Sequence, residues 1–415
     1  MTNLHIQGGN NLQGDVLIDG AKNSILVLMA AALLTDEEVV LHNVPELTDI
    51  NSLTDLLVSL GVVVSREYKS LIINAAGVTD TSPAQHLVSK LRASFFCLGS
   101  LLARFGYVEM PLPGGCSIGV RPVDEHIRGL KLLGADVSIE HGIVIAAASQ
   151  LIGNRICFGV PSVGATETLM MASCLCLGET ILENCAMDPE IVDLANLLNQ
   201  MGAKIEGAGT PTIRICGVKR LHGAEYSVIP DRIEAGTYLL AGAITRSPVT
   251  VHQVLPNHLN QVLLKLQEMG YSIDTTDDSI TISTKDTLLP VDIRTSFYPG
   301  FPTDLQAPFL SLLTTIPGVS IVNETIYENR MKHACELIKM GANIKTYNHL
   351  SVIQGHAYLT GAQVAGTDLR ATAALALAGL YATGETIVSG VEYLDRGYSH
   401  FVDKLSQLGA HIERK

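Results

Sequence analysis

The apolar positions of this chain return in one phrase, six times over. SLGVVVSR, LLGADVSIE, QMGAKIEG, EMGYSIDT, KMGANIKT and QLGAHIER carry Gly61, Gly134, Gly202, Gly270, Gly341 and Gly409, at intervals of 73, 68, 68, 71 and 68 residues. Before each glycine the apolar residues recur at helical spacing; after it they alternate as a strand does. The pattern predicts an amphipathic helix closed by glycine just beyond its last turn, followed at once by a strand.

A second pattern repeats in phase with the first. GAKNSILVLMAAALL, LRASFFCLGSLLA, GATETLMMASCLCLG, IEAGTYLLAGAIT, PTDLQAPFLSLLTT and DLRATAALALAGL each begin with polar or charged residues and then turn apolar nearly all round. Helices of that kind are predicted to be buried. Strand-like runs come with them, such as EEVVLHNV, ETILENC, SPVTVHQV, VSIVNET and ETIVSGV. A solenoid is one reading of such repeats. Helices too apolar to face water fit better as three repeats packed round buried helices, twice over.

Lys22, Arg92, Asp304 and Arg370 fall in the first turn of these helices, with Glu234 at the matching place of another. A helix start offers unpaired N–H groups and the positive end of a dipole, so cations there build an anion site. The plainer alternative is that these charges only solvate the helix starts.

Composition narrows the class. A chain of 415 residues is long for one core and suggests two domains. With 47% hydrophobic and 17% charged residues it reads as a packed globular protein, and without tryptophan its core falls to Ala, Leu, Val and Ile. A net charge of −13 argues against a nucleic-acid surface, so an anionic substrate needs a local basic cluster. The start, MTNLHIQGGNNLQGD, has no secretory pattern, and the longest apolar run, Ile25 to Leu34, is about half a membrane span. Eight cysteines without paired spacing suit a reducing compartment. A soluble cytoplasmic protein is expected, with no metal and no cofactor.

One cysteine stands apart. LPGGCSIGVRPVDEH places Cys116 beside a glycine pair and near Arg121, a setting that favours the thiolate. The glycine-rich stretch lacks the Gly-Lys-Ser/Thr of a Walker motif. Cys97, Cys157, Cys174, Cys176, Cys185, Cys216 and Cys335 read as small core hydrophobes.

The motifs GAKNS, LRAS, PGGCSIGVRPVDEH, SVGAT, IPDRIEAGT, FPTDLQA, ENR, TDLRA and DRGY run through every repeat. Together they resemble the enolpyruvyl transferase family, in its UDP-N-acetylglucosamine 1-carboxyvinyltransferase branch. The resemblance implies an α/β fold: a two-domain inside-out α/β barrel of six βαβαββ-type repeats, three per domain, with the helices buried. It places residues 22–229 in one domain and 1–21 with 230–415 in the other, with the substrates in the cleft between. It implies transfer of the enolpyruvyl group of phosphoenolpyruvate to the 3′-hydroxyl of UDP-N-acetylglucosamine, with release of phosphate. That reaction runs by addition and elimination through a tetrahedral ketal and opens peptidoglycan precursor synthesis. A monomer or weak oligomer is expected.

The resemblance also assigns roles. Cys116 protonates the methylene carbon of phosphoenolpyruvate and is the thiol that fosfomycin alkylates. Asp304 removes the sugar hydroxyl proton, a role compatible with capping its helix. Lys22, Arg121 and Arg396 bind phosphoenolpyruvate, with Arg370 close by. Asn23, Arg92, the run Arg121, Pro122, Val123, Asp124 and Glu125, then Ser162, Val163, Gly164 and Ile326 hold the nucleotide sugar. Arg330 either supports the site or pairs with Glu328. Glu125, Val160 with Pro161, and Glu46 with Thr48 stand where relatives are often less acidic or more basic, which implies weaker nucleotide binding. Three rivals are a 5-enolpyruvylshikimate-3-phosphate synthase, a non-catalytic nucleotide-sugar-binding paralogue, and an RNA-processing cyclase. The Cys116 motif argues against the first, and Lys22, Cys116, Asp304 and Arg396 together against the second. The net charge conflicts with the third.

Overall fold

The protein is described by a computed structural model that covers every residue except 1, 114–117, 120–121, 286 and 356–357. The described chain divides into two compact units. One joins the chain up to Asp19 with Pro230–Lys415; the other runs from Gly20 to Ile229, save Ile118 and Gly119, which group with the first.

The repeated glycines do what the pattern predicts. Gly61, Gly134, Gly202, Gly270, Gly341 and Gly409 all adopt positive φ, between 93° and 101°. At five of the six ends the residue after the glycine donates its N–H back five residues, as Val62 does to Leu57 at 3.1 Å and Ala410 to Leu405 at 3.0 Å. This is the glycine-closed helix end, and a strand starts within two residues of each glycine.

Among the described residues six sheets follow, three in each unit. Five share one plan: a parallel pair, then two antiparallel partners. In the second unit Ala224–Ser227 pairs parallel with Glu38–His42, so the last strand of that unit closes on its first. In the other unit the N-terminal segment lends two strands. Gly14–Leu17 pairs parallel with Val249–His252, and Leu4–Gln7 lies antiparallel between Glu385–Ser389 and His411–Arg414. The sixth sheet, Tyr107–Pro111 with Ile143–Ala147 and Asp136–Glu140, shows the two antiparallel pairings alone.

The apolar helices lie inside. Every residue from Arg370 to Leu380 of the Leu369–Tyr381 helix is buried, and so is all of Arg232–Ile244. Each unit has its own hydrophobic cluster, one drawn from residues 25–228 and the other from residues 4–18 and 233–412. Among the described residues no helix is long and apolar enough to cross a membrane.

Three cysteines depart from expectation. Cys157, Cys216 and Cys335 are exposed, whereas Cys97, Cys174, Cys176 and Cys185 are buried. In Arg155–Cys157 and Thr212–Cys216 the alternation sends Ile156, Ile213 and Ile215 inward and the cysteines outward. Burial pushes the Cys97, Cys176 and Cys185 thiols up to about 12.

Candidate active site

In the unit that ends the chain, the charged helix starts converge on Asp304. Phe301 to Leu305 leads a short 3-10 turn into the Gln306–Leu313 helix, and Pro302 occupies the cap position without a side-chain bond. Asp304 is therefore not a cap. Its Oδ1 accepts from Arg330 Nη2 at 2.6 Å and its Oδ2 from Arg370 Nη2 at 2.9 Å. The arginine side chains are only 5% and 4% exposed, and Asp304 is 25% exposed. Although burial opposes its charge, the two guanidinium groups hold the Asp304 carboxyl well below the usual carboxylate range.

Of the two roles the ENR motif offers Arg330, the structure shows it on Asp304. A second carboxylate braces the pair. Arg330 Nη1 donates to Thr303 Oγ1 at 2.8 Å, and that hydroxyl donates to Glu324 Oε2 at 2.8 Å. Glu324 Oε1 also accepts from Thr295 Oγ1 at 2.9 Å and from the Ile326 N–H at 2.9 Å. The backbone at Ile326, an expected nucleotide contact, is thereby fixed to the same network as Asp304. Arg370 lies in the first turn of Leu369–Tyr381, whose first free N–H groups are capped by Asp368. Its guanidinium sits 5.3 Å from the Tyr398 ring. Arg396 ends the Val391–Arg396 turn and is partly exposed.

The other unit holds a separate group. Lys22 opens the Lys22–Ala31 helix and pairs with Asp49 at 2.8 Å; the side chains are 13% and 4% exposed. Asn23, next to it, is exposed. Arg92 starts the Arg92–Phe96 turn and depresses His126, whose buried ring is pushed down to about 3 mainly by desolvation. That ring stands edge-on to Phe95 at 5.4 Å. Ser162 caps the Val163–Ser173 helix, accepting from the Ala165 N–H at 3.3 Å, so Val163 and Gly164 sit at a helix N-terminus. Pro122 and Asp124 are exposed and Val123 half-buried, just before and at the start of Asp124–Leu132. Glu125 pairs with Arg128 at 2.6 Å and accepts from the Gly159 N–H at 3.1 Å, so its charge is locally compensated. Val160 is exposed, as are Glu46 and Thr48. Cys116, the expected acid, and Arg121 lie outside the described residues.

One charged helix start is not an anion site. Glu234 Oε2 accepts from the Asp19 N–H at 2.9 Å, and Lys404 Nζ donates to Glu234 at 2.6 Å and to Asp19 at 2.7 Å. This buried cluster ties the N-terminal segment to its unit. Asp49, Glu324 and His126 were not singled out from the sequence. Asp49 has the look of an ordinary acidic residue in a helix's first turn, and its pairing spans 27 positions that one sequence does not connect.

Charged side chains recur at the starts of inner helices in both units, each of three sheets, an arrangement that agrees with an enolpyruvyl transferase. The EPSP synthase (3-phosphoshikimate 1-carboxyvinyltransferase) family matches residues 6–405, and the chain belongs to that family. Within it, the chain is 54% identical over 415 residues to the UDP-N-acetylglucosamine 1-carboxyvinyltransferase of Prochlorococcus marinus, spanning 99% of this chain and 95% of that protein. It is 52% identical over 417 residues to the protein of the same name from Gloeobacter violaceus, spanning 99% and 90%. Among solved structures, the enolpyruvyl transferase NikO from Streptomyces tendae superposes with a TM-score of 0.90 at 25% identity, over 100% of this chain and 99% of that one. The EPSP synthase of Acinetobacter baumannii shares the fold at a TM-score of 0.76 and 18% identity, over 100% of both chains. The motif resemblance and the fold it implied are borne out.

Proposed function

We propose that the protein transfers the enolpyruvyl group of phosphoenolpyruvate to the 3′-hydroxyl of UDP-N-acetylglucosamine and releases phosphate, in the cytoplasm, as the first committed step of peptidoglycan precursor synthesis. The observation that carries the reading is identity of half or more, across nearly the whole chain, with proteins that bear that enzyme's name. Lys22, Arg121, Arg370 and Arg396 neutralise the phosphate and carboxylate of phosphoenolpyruvate. Asn23, Arg92, residues 121–125, Ser162 to Gly164 and Ile326 hold the nucleotide sugar.

The chemistry needs an acid and a base. Cys116 delivers a proton to the methylene carbon while the sugar oxygen bonds to the adjacent carbon and its proton passes to Asp304. The Cys116 thiolate then takes a proton back from the ketal's methyl group as phosphate departs, its developing charge stabilised by the fixed cations. In Cys116→Ser, turnover is expected to fall by at least about a hundredfold, the usual range for losing a general acid, while nucleotide-sugar binding persists. Cys116→Asp should retain activity and lose fosfomycin sensitivity, since a carboxylic acid also carries a proton. Parental turnover in the serine variant would remove the acid assignment.

A further inference from the structure

Asp304 is the base in the reading above, yet both of its oxygens are engaged by arginines. The two arginines differ in how they are held. Arg330 is locked by Thr303, Glu324 and the Tyr327 ring, 5.3 Å away. Arg370 has Asp304 Oδ2 and the Tyr398 ring, and its Nη1 is buried without a hydrogen-bond partner. Arg330 also keeps a buried Nε without a partner, but both of its terminal nitrogens are taken, by Thr303 and Asp304, whereas Arg370 presents a terminal Nη1 to an arriving anion.

We propose that Arg370 is a substrate-operated lock on Asp304: the donor anion draws its guanidinium off Oδ2, leaving Asp304 on Arg330 alone and open to the acceptor hydroxyl. The proposal rests on the reading of Asp304 as base and Arg370 as anion-binding. It couples the two substrates, because the acceptor cannot be deprotonated until the donor is in place. No bond is made or broken in the switch; one ion pair is exchanged for another.

Among the described residues, the charged groups that face Asp304 are these two arginines. One step further out lie Glu324 through Thr303, Tyr327 against Arg330, and Tyr398 and Asp231 against Arg370. Asp368 and His333 act on the arginine side, and burial pushes His333 down to about 4. Loss of one of two adjacent cations moves the Asp304 carboxyl back up toward the ordinary range.

The test follows the Asp304 carboxyl by carbon-13 resonance, assigned by its disappearance in Asp304→Asn, through a pH titration with and without saturating inorganic phosphate. The lock predicts that phosphate raises the midpoint by more than one pH unit. In Arg370→Gln the midpoint should already be raised, and phosphate should move it by less than half a unit. An unmoved midpoint in the parent overturns the lock, and so does an equal phosphate shift in Arg370→Gln, which would mean the anion acts directly. Neither readout needs turnover. A protein that shows the phosphate-driven shift but never consumes phosphoenolpyruvate would sink the proposed reaction and leave the lock standing.

Discussion

Asp304 is held by partners 26 and 66 residues away, and those pairings decide what its removal does. Asp304→Asn leaves two buried guanidinium groups facing each other. We expect a loss of about 3 kcal/mol in urea unfolding at neutral pH, with much of it restored by inorganic phosphate. A loss under about 1 kcal/mol, or no response to phosphate, would contradict the paired-anion account. Glu234 behaves oppositely. Burial pushes it from 4.5 up to about 7 against the pull of Lys404, so the folded protein keeps a proton that the unfolded chain releases. Stability contributed by Glu234 therefore falls as pH rises from 4.5 toward 7 and is flat above. The slope is at most about 1.4 kcal/mol per pH unit, and Glu234→Gln should abolish it. Identical pH profiles for parent and variant would remove the assignment. At this scale the sequence showed which residue types carry charge at helix starts. It did not show that Lys22 answers to Asp49, Arg330 to Asp304 or Glu234 to Lys404, because the fold alone brings those positions together.

The helix ends were the most legible elements, since positive φ after a helix leaves few residues but glycine. They also differ in a testable way. A Cβ on Gly134 would meet nothing within 4 Å, whereas one on Gly61 would lie 2.3 Å from the Gly77 carbonyl oxygen. Gly134→Ala should cost about 1 kcal/mol of left-handed strain, and Gly61→Ala clearly more, because the clash is with backbone. Equal costs in thermal or urea unfolding would show that strain, not the clash, sets both. The outward faces of strands were less legible. Cys157 and Cys216 are apolar enough to pass for core, and only the alternation with Ile156 and Ile215 places them outside. Asp304 after Pro-Thr looked like a cap because local sequence cannot show a side chain turning instead to distant arginines.

Six repeats sorted into two units were readable from periodicity, as was the burial of the inner helices. The division at Asp19/Gly20 and Ile229/Pro230 required the strand pairings, which carry the N-terminal segment into the unit that ends the chain. Because residues 20–229 close their sheet order on themselves and own a complete hydrophobic cluster, that fragment expressed alone should unfold cooperatively. A featureless thermal transition would show that it borrows stability from the rest. The measurement that bears most directly on the whole account is phosphate release from phosphoenolpyruvate, with UDP-N-acetylglucosamine and, separately, shikimate 3-phosphate as acceptor. The account predicts release only with the nucleotide sugar, abolished by fosfomycin. Release with shikimate 3-phosphate instead, or with neither acceptor despite measurable nucleotide-sugar binding, would contradict it.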